Sequence, residues 1–194
     1  MCVKDNQHLF HNRTPDSGEL IIMVIFYLFI GVLAVFGDLW VNHTNYGFPQ
    51  LKWIVIAFST GVLISVVNVF IAYFTKSGQQ LTSILKDILG ESPIFWLLLL
   101  VIIGSISEEM VFRALSLNWL AYKITPWPAI MLTSIIFGAL HGFFRFPFIL
   151  WSFTALLWGI VLGWLMIASG FILVPVIIHV TINLLGIAWL RMSN

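Results

Sequence analysis

Six polar side chains in this 194-residue sequence have types and spacings that could do chemistry: Glu108, Glu109, Arg113, His141, His179 and Asn183. All lie within largely apolar runs. A charge at mid-bilayer costs about 2.5–3.5 kcal/mol on insertion scales, so the three charges of Ser107-Glu-Glu-Met-Val-Phe-Arg113 call for a reason. Glu109 and Arg113 are four residues apart and share a helix face, which makes an ion pair natural. Glu108 points about 100° away on a helix of 3.6 residues per turn and finds no partner on its own helix. One carboxylate is therefore read as a structural pair and the other as presented to groups elsewhere. The candidates are His141, which closes Phe137-Gly-Ala-Leu-His141, and His179 with Asn183, four apart on one face.

A carboxylate beside an imidazole can take a proton from water, and a second histidine with an asparagine can donate to an oxyanion. That combination suits attack of water on an amide. No Ser–His–Asp arrangement is present, and the single cysteine is Cys2, so a covalent nucleophile is not indicated. Glu108, His141 and His179 also make a two-histidine, one-carboxylate set for zinc. The sequence has no His-Glu-x-x-His run. Spacing leaves the metal-free and zinc forms both open.

Membrane helices must position these residues. Apolar residues make up 60% of the chain and charged residues 9%, against roughly 45–50% and about 25% in soluble domains. Seventeen Phe and nine Trp cannot be hidden inside a soluble domain of this size, and a net charge of +1 argues against a nucleic-acid partner. The expected fold class is all-α, a polytopic transmembrane bundle of about six spanning helices. The continuously apolar runs lack the period-two alternation of a β-barrel.

The chain divides into a polar tail (1–19), two N-terminal spans (20–74), an interfacial loop or amphipathic helix (75–92) and a four-helix core (93–190). The first spans are Leu20–Val41 and Leu51–Phe74, each near the twenty apolar residues that cross a ~30 Å hydrocarbon layer. Leu81, Ile84, Leu85, Ile88 and Leu89 recur at helical spacing in the interfacial stretch. A third helix is expected from Pro93 to about Leu120, a fourth from Pro126 to His141 or Phe144, a fifth from Pro147 to near Ala168 and a sixth over Phe171–Leu190. Asn68 and Asn118 read as interhelical hydrogen-bond glue, Asp38 as interfacial, Gly159 and Gly163 as a packing pair, and Pro175 as a kink or restart of the helix below His179.

At ~1.5 Å per residue, Glu108 lies about 18 Å below Leu120, His141 about 20 Å below Pro128, His179 about 12 Å below Phe171 and Asn183 about 18 Å. All four depths are counted from one side of the membrane and fall in one shallow layer, so three helices can bring these groups together. Lys4, Arg13, Lys76, Lys86, Arg145 and Arg191 gather on one side against Lys52 and Lys123 on the other, which predicts both termini in the cytoplasm.

The sequence Glu108-Glu109-x-x-x-Arg113, then Phe137-x-x-x-His141, then His179-x-x-x-Asn183, on successive membrane helices, resembles the three motifs of the CPBP intramembrane proteases. That family includes type II CAAX prenyl proteases and bacteriocin-processing or self-immunity proteins. The resemblance covers roughly Ser92–Leu190. It implies that Glu108 is the general base activating water with His141 assisting, that His179 and Asn183 stabilise the oxyanion, and that Glu109 and Arg113 brace the third helix. It implies no required cofactor, with zinc on Glu108, His141 and His179 as the alternative. The implied function is an intramembrane endopeptidase cutting a membrane-anchored protein or peptide, whether by CAAX-type processing or at a leader peptide or C-terminal sorting tail. The expected location is a bacterial inner membrane, with the lipid bilayer as the surrounding partner.

Two other function classes compete. A non-catalytic immunity or partner-binding protein would keep its phenotype with Glu108→Gln. A small transporter would use the same buried groups as a proton path, but no inverted repeat supports it.

Overall fold

The computed structural model of the protein describes residues 14–41, 44–142 and 148–193. Cys2, Lys4, Arg13, Phe144, Arg145 and Pro147, which entered the sequence reading, lie outside the described residues. Among the described residues the chain forms seven helices and no strand: α1 (Ser17–Val41), α2 (Leu51–Phe74), α3 (Lys76–Leu89), α4 (Ile94–Ile124), α5 (Pro126–Leu140), α6 (Ile149–Ser169) and α7 (Leu173–Met192).

Five of these, α1, α2, α4, α6 and α7, are long and apolar enough to cross a membrane, and α5 is a shorter apolar helix. The expectation of about six spans thus resolves into five full-length spans and one short helix. With 15 residues, α5 reaches only about 22 Å at ~1.5 Å per residue, short of the ~30 Å hydrocarbon layer. A helix of that length starting at one surface leaves His141, the residue that caps its C-terminus, inside the layer. Large apolar side chains such as Phe26, Phe29, Phe36, Phe58 and Phe70 point outward, the reverse of a water-soluble surface and what a lipid solvent favours. The protein is an integral membrane protein.

Two packed clusters hold the bundle. Ala34, Met110, Ala114, Leu117, Ile130, Met166 and Val176 join α1, α4, α5, α6 and α7. Ala57, Ile64, Leu162, Leu165, Val174 and Ile178 join α2, α6 and α7. The approach of α2 to α7 depends on Gly61, where an added Cβ would lie 2.8 Å from the Thr181 Cβ and 3.0 Å from the Ile178 carbonyl. This contact fixes the helix that carries His179 and Asn183.

Three local features sharpen or correct the sequence expectations. First, α4 continues to Ile124 and is π-helical over Met110–Leu117, directly after the Glu108–Glu109 pair. Wide π turns are rare and often occur at functional sites. Here the Ser116 hydroxyl bonds the Val111 carbonyl five residues back at 2.7 Å, and Ala114 and Leu117 are fully buried. Second, of the kink or restart expected at Pro175, the restart is the one found. Pro175 sits in the first turn of α7, where no preceding turn offers its missing N–H a partner.

Third, Asp38 is fully buried, not interfacial. The chain after α1 folds back and supplies donors: the Thr44 hydroxyl at 2.6 Å, the Tyr46 hydroxyl at 2.8 Å and the Thr44 N–H at 3.1 Å. Burial first, then the hydrogen bond to Asp38 and its charge, push the Tyr46 phenol up, so it stays a donor.

The short helix α3 packs against α2 and is tied to the end of α7. Lys86 donates to the Ser193 carbonyl, and Arg191 donates to the carbonyls of Leu89 and Ser92. Its apolar residues Leu81, Leu85 and Leu89 line a cavity that leads to Glu108.

Candidate active site

Glu109 and Arg113 form the expected pair, with Nη1 to Oε1 at 2.9 Å and both side chains almost wholly buried. Arg113 also donates to the Gly159 carbonyl at 3.3 Å, and its guanidinium lies 4.5 Å from the centre of the Phe137 ring. The pair therefore ties α4 to α5 and α6, and a guanidinium over an aromatic face gains further from the ring's negative quadrupole.

The same Glu109 oxygen holds a second group. His179 Nδ1 lies 2.7 Å from Glu109 Oε1. Since Arg113 is also a donor to that oxygen, the oxygen accepts from both and Nδ1 carries the proton. His141 is oriented in the same way by backbone, with Nδ1 2.7 Å from the Phe137 carbonyl. A carbonyl only accepts, so this Nδ1 is also the protonated one. Both imidazoles consequently turn Nε2 toward the remaining carboxylate.

That carboxylate is Glu108. Its Oε2 lies 3.8 Å from His141 Nε2 and 3.8 Å from His179 Nε2, and its side chain is 22% exposed. A separation of 3.8 Å is too long for a direct hydrogen bond but suits one bridging water. The structure thus brings Glu108, His141 and His179 together from α4, the end of α5 and α7, as the depth arithmetic anticipated.

Asn183 stands slightly apart. Its side-chain amide donates to Ser105 Oγ at 2.9 Å, and Ser105 in turn donates to the Val101 carbonyl at 2.7 Å. Asn183 lines the same cavity as Glu108, and its second N–H is uncommitted to any bond among the described residues.

Glu108 sits where two cavities meet. One, of about 580 Å³, is lined by Tyr27, Glu108, Phe112, His141, Phe148 and Trp151. The other, of about 420 Å³, runs past Ser105 and Asn183 along α2, α3 and α7 with mostly apolar walls. Tyr27, Glu108 and Trp151 line both. Trp151 also packs on His141, with ring centres 5.7 Å apart.

Among the described residues no group of three His, Cys, Asp or Glu side chains is arranged to hold a metal ion. The two Nε2 atoms converge on one carboxylate oxygen, a geometry that a shared water fits.

Sequence reasoning missed Tyr27, Ser105, Ser107 and Trp151. Only Tyr27 left a signal, since a phenol within an apolar span usually needs a hydrogen-bond partner.

Residues 90–185 match the family model described as Type II CAAX prenyl endopeptidase Rce1-like. This segment is similar to the Rce1-like family. The match spans every motif residue from Glu108 to Asn183, and the activity class that goes with the family is a CAAX-type intramembrane protease. The Rce1-like segment does not include α1, α2 or α3, which form much of the second cavity's wall. A protein of Escherichia coli described as an "Uncharacterized 24.3 kDa protein" is 28% identical over 184 residues, covering 94% of this chain and 80% of its own. No solved structure matches the chain.

Proposed function

We propose that the protein is an intramembrane endopeptidase in which Glu108, with His141, activates a water for attack on a peptide bond of a membrane-anchored substrate. The observation that carries this reading is the pair of imidazole Nε2 atoms at 3.8 Å from one Glu108 oxygen, at the meeting point of two cavities. A water between these groups gives a proton to Glu108, and its oxygen bonds to the scissile carbonyl carbon. The carbonyl oxygen becomes an oxyanion. The C–N bond then breaks, and the proton passes to the leaving amine.

His179 serves the oxyanion when Nε2 is protonated as well, because Nδ1–H is already held by Glu109 and both ring nitrogens are then donors. Asn183 has one amide N–H left to give from the same cavity. Glu109 and Arg113 keep His179 and α4 in register.

The apolar second cavity suits an extended hydrophobic segment or chain. A prenylated CAAX-type terminus, a leader peptide and a C-terminal sorting tail all fit that chemistry. Lys76, Lys86 and Arg191 gather on one side against Lys52 and Lys123, which supports a cytoplasmic face for the α3 side, in a bacterial inner membrane.

The test is cleavage by purified protein in liposomes, using a quenched-fluorescent farnesylated peptide ending in Cys-aliphatic-aliphatic-X and its unprenylated twin. Membrane proteomes of cells carrying wild-type or Glu108→Gln protein report on the other substrate classes. Glu108→Gln and His141→Ala are expected to abolish cleavage while the folded protein remains. Activity surviving in both variants refutes the reading. Full activity after exhaustive metal chelation supports the water-only form, and loss restored by zinc overturns it.

A further inference from the structure

Tyr27 is a polar residue at the site that lies outside both the motifs and the Rce1-like segment. Its hydroxyl donates to Glu108 Oε1 at 3.4 Å, the one hydrogen bond that the Glu108 side chain receives among the described residues. The two imidazoles face the other oxygen, Oε2.

The seam between α1 and α4 is built to hold that phenol in place. Gly104 lies one turn before Glu108 on the same face of α4, and an added Cβ there would stand 3.8 Å from three atoms of the Tyr27 ring. The ring therefore packs over a position without a side chain, and its hydroxyl reaches the next turn. Ser107 pins the backbone of the same residue, donating from Oγ to the Tyr27 carbonyl at 2.7 Å. Gly31, one turn further along α1, admits Ser107, since an added Cβ would lie 2.6 Å from its Oγ and 3.4 Å from its Cα. Gly31 and Ser107 thus set the distance between the helices at the height of Glu108.

We infer that Tyr27 is a positioning residue for the reaction proposed above: its hydroxyl holds Oε1 so that Oε2 faces the water between His141 and His179. The inference rests on the proposed role of Glu108. The first transmembrane helix is on this account part of the active site. It supplies the hydroxyl that fixes the rotamer of the base, where a free carboxylate at the mouth of two cavities would sample several. A group misplaced by about 1 Å can lose a hundredfold in rate.

The experiment compares full-length wild-type, Tyr27→Phe and Glu108→Gln protein in liposomes on the farnesylated peptide, with melting measured alongside. Tyr27→Phe keeps the ring over Gly104 and removes only the hydroxyl. The expected result is a kcat lowered about tenfold to a hundredfold with KM and melting unchanged. Wild-type kcat in Tyr27→Phe beside an inactive Glu108→Gln overturns the inference alone. Wild-type kcat in Glu108→Gln overturns the catalytic reading and the role of Tyr27 with it.

Infrared difference spectra give a readout that needs neither cleavage of this peptide nor a change in rate. The carboxyl band lost in Glu108→Gln is expected to shift in Tyr27→Phe. A band that stays in place overturns the inference.

Discussion

Asp38 and Glu108 are both carboxylates inside the bundle, and their surroundings differ in almost every respect. Asp38 is fully buried and takes three donors at 2.6, 2.8 and 3.1 Å from the chain that follows its own helix. Thr44, which provides two of them, is held in turn by the Asn118 amide at 2.8 Å, so the knot braces α1 against the π-helical part of α4. Glu108 takes one long bond at 3.4 Å, faces two imidazoles at 3.8 Å and borders two cavities. A saturated carboxylate inside a membrane protein has no capacity left for a substrate and serves structure. An under-bonded one keeps acceptor positions open, and that is the condition for moving a proton. Glu109 shares Asp38's structural role through Oε1, which Arg113 and His179 both bond, while its buried Oε2 has no hydrogen-bond partner among the described residues.

The division can be broken by measuring stability and rate separately. The largest stability loss is expected for Arg113→Ala, which strands the buried Glu109 charge and should cost about 3–5 kcal/mol. Reversible unfolding in detergent checks it, and a variant as stable as wild type would remove Glu109 from the structural class. Asp38→Ala comes next. It leaves the Tyr46 and Thr44 donors unpaired in a buried place, with an expected loss of about 1–3 kcal/mol and unchanged cleavage per folded molecule. A large loss of rate at intact stability would mean that the knot is not merely structural. The smallest effect is expected for Asn68→Ala, which removes the bond from Trp158 Nε1 at 2.9 Å. Interhelical bonds of this kind average about 0.6 kcal/mol, so a shift much larger than that would reassign Asn68.

Much of this arrangement is legible in the sequence, and for physical reasons. A membrane helix has a fixed rise, so counting from its ends gives a depth, and the depths of Glu108, His141 and His179 come within about 8 Å of one another on that count alone. The Glu109–Arg113 pair follows from four-residue spacing. Its sharing of Glu109 with His179 does not, because two acidic neighbours offer a histidine two partners and only packing selects one. Asp38 reads as interfacial because its donors, Thr44 and Tyr46, reach it through a turn whose path no periodicity encodes. The π turns over Met110–Leu117 have no composition of their own; they arise from what the helix packs against. The partner of Tyr27 escapes the sequence because a bond between α1 and α4 depends on helix adjacency, which apolar runs alone do not specify.

The central claim is that Glu108 carries the reaction and that little else depends on it. Its most direct test is the cleavage rate constant of purified Glu108→Gln against wild type in liposomes, on protein shown to unfold at the same midpoint. The account predicts a loss of about a hundredfold to ten-thousandfold at unchanged stability, the range that a positioned general base supplies. A Glu108→Gln protein that cleaves as fast as wild type would contradict it.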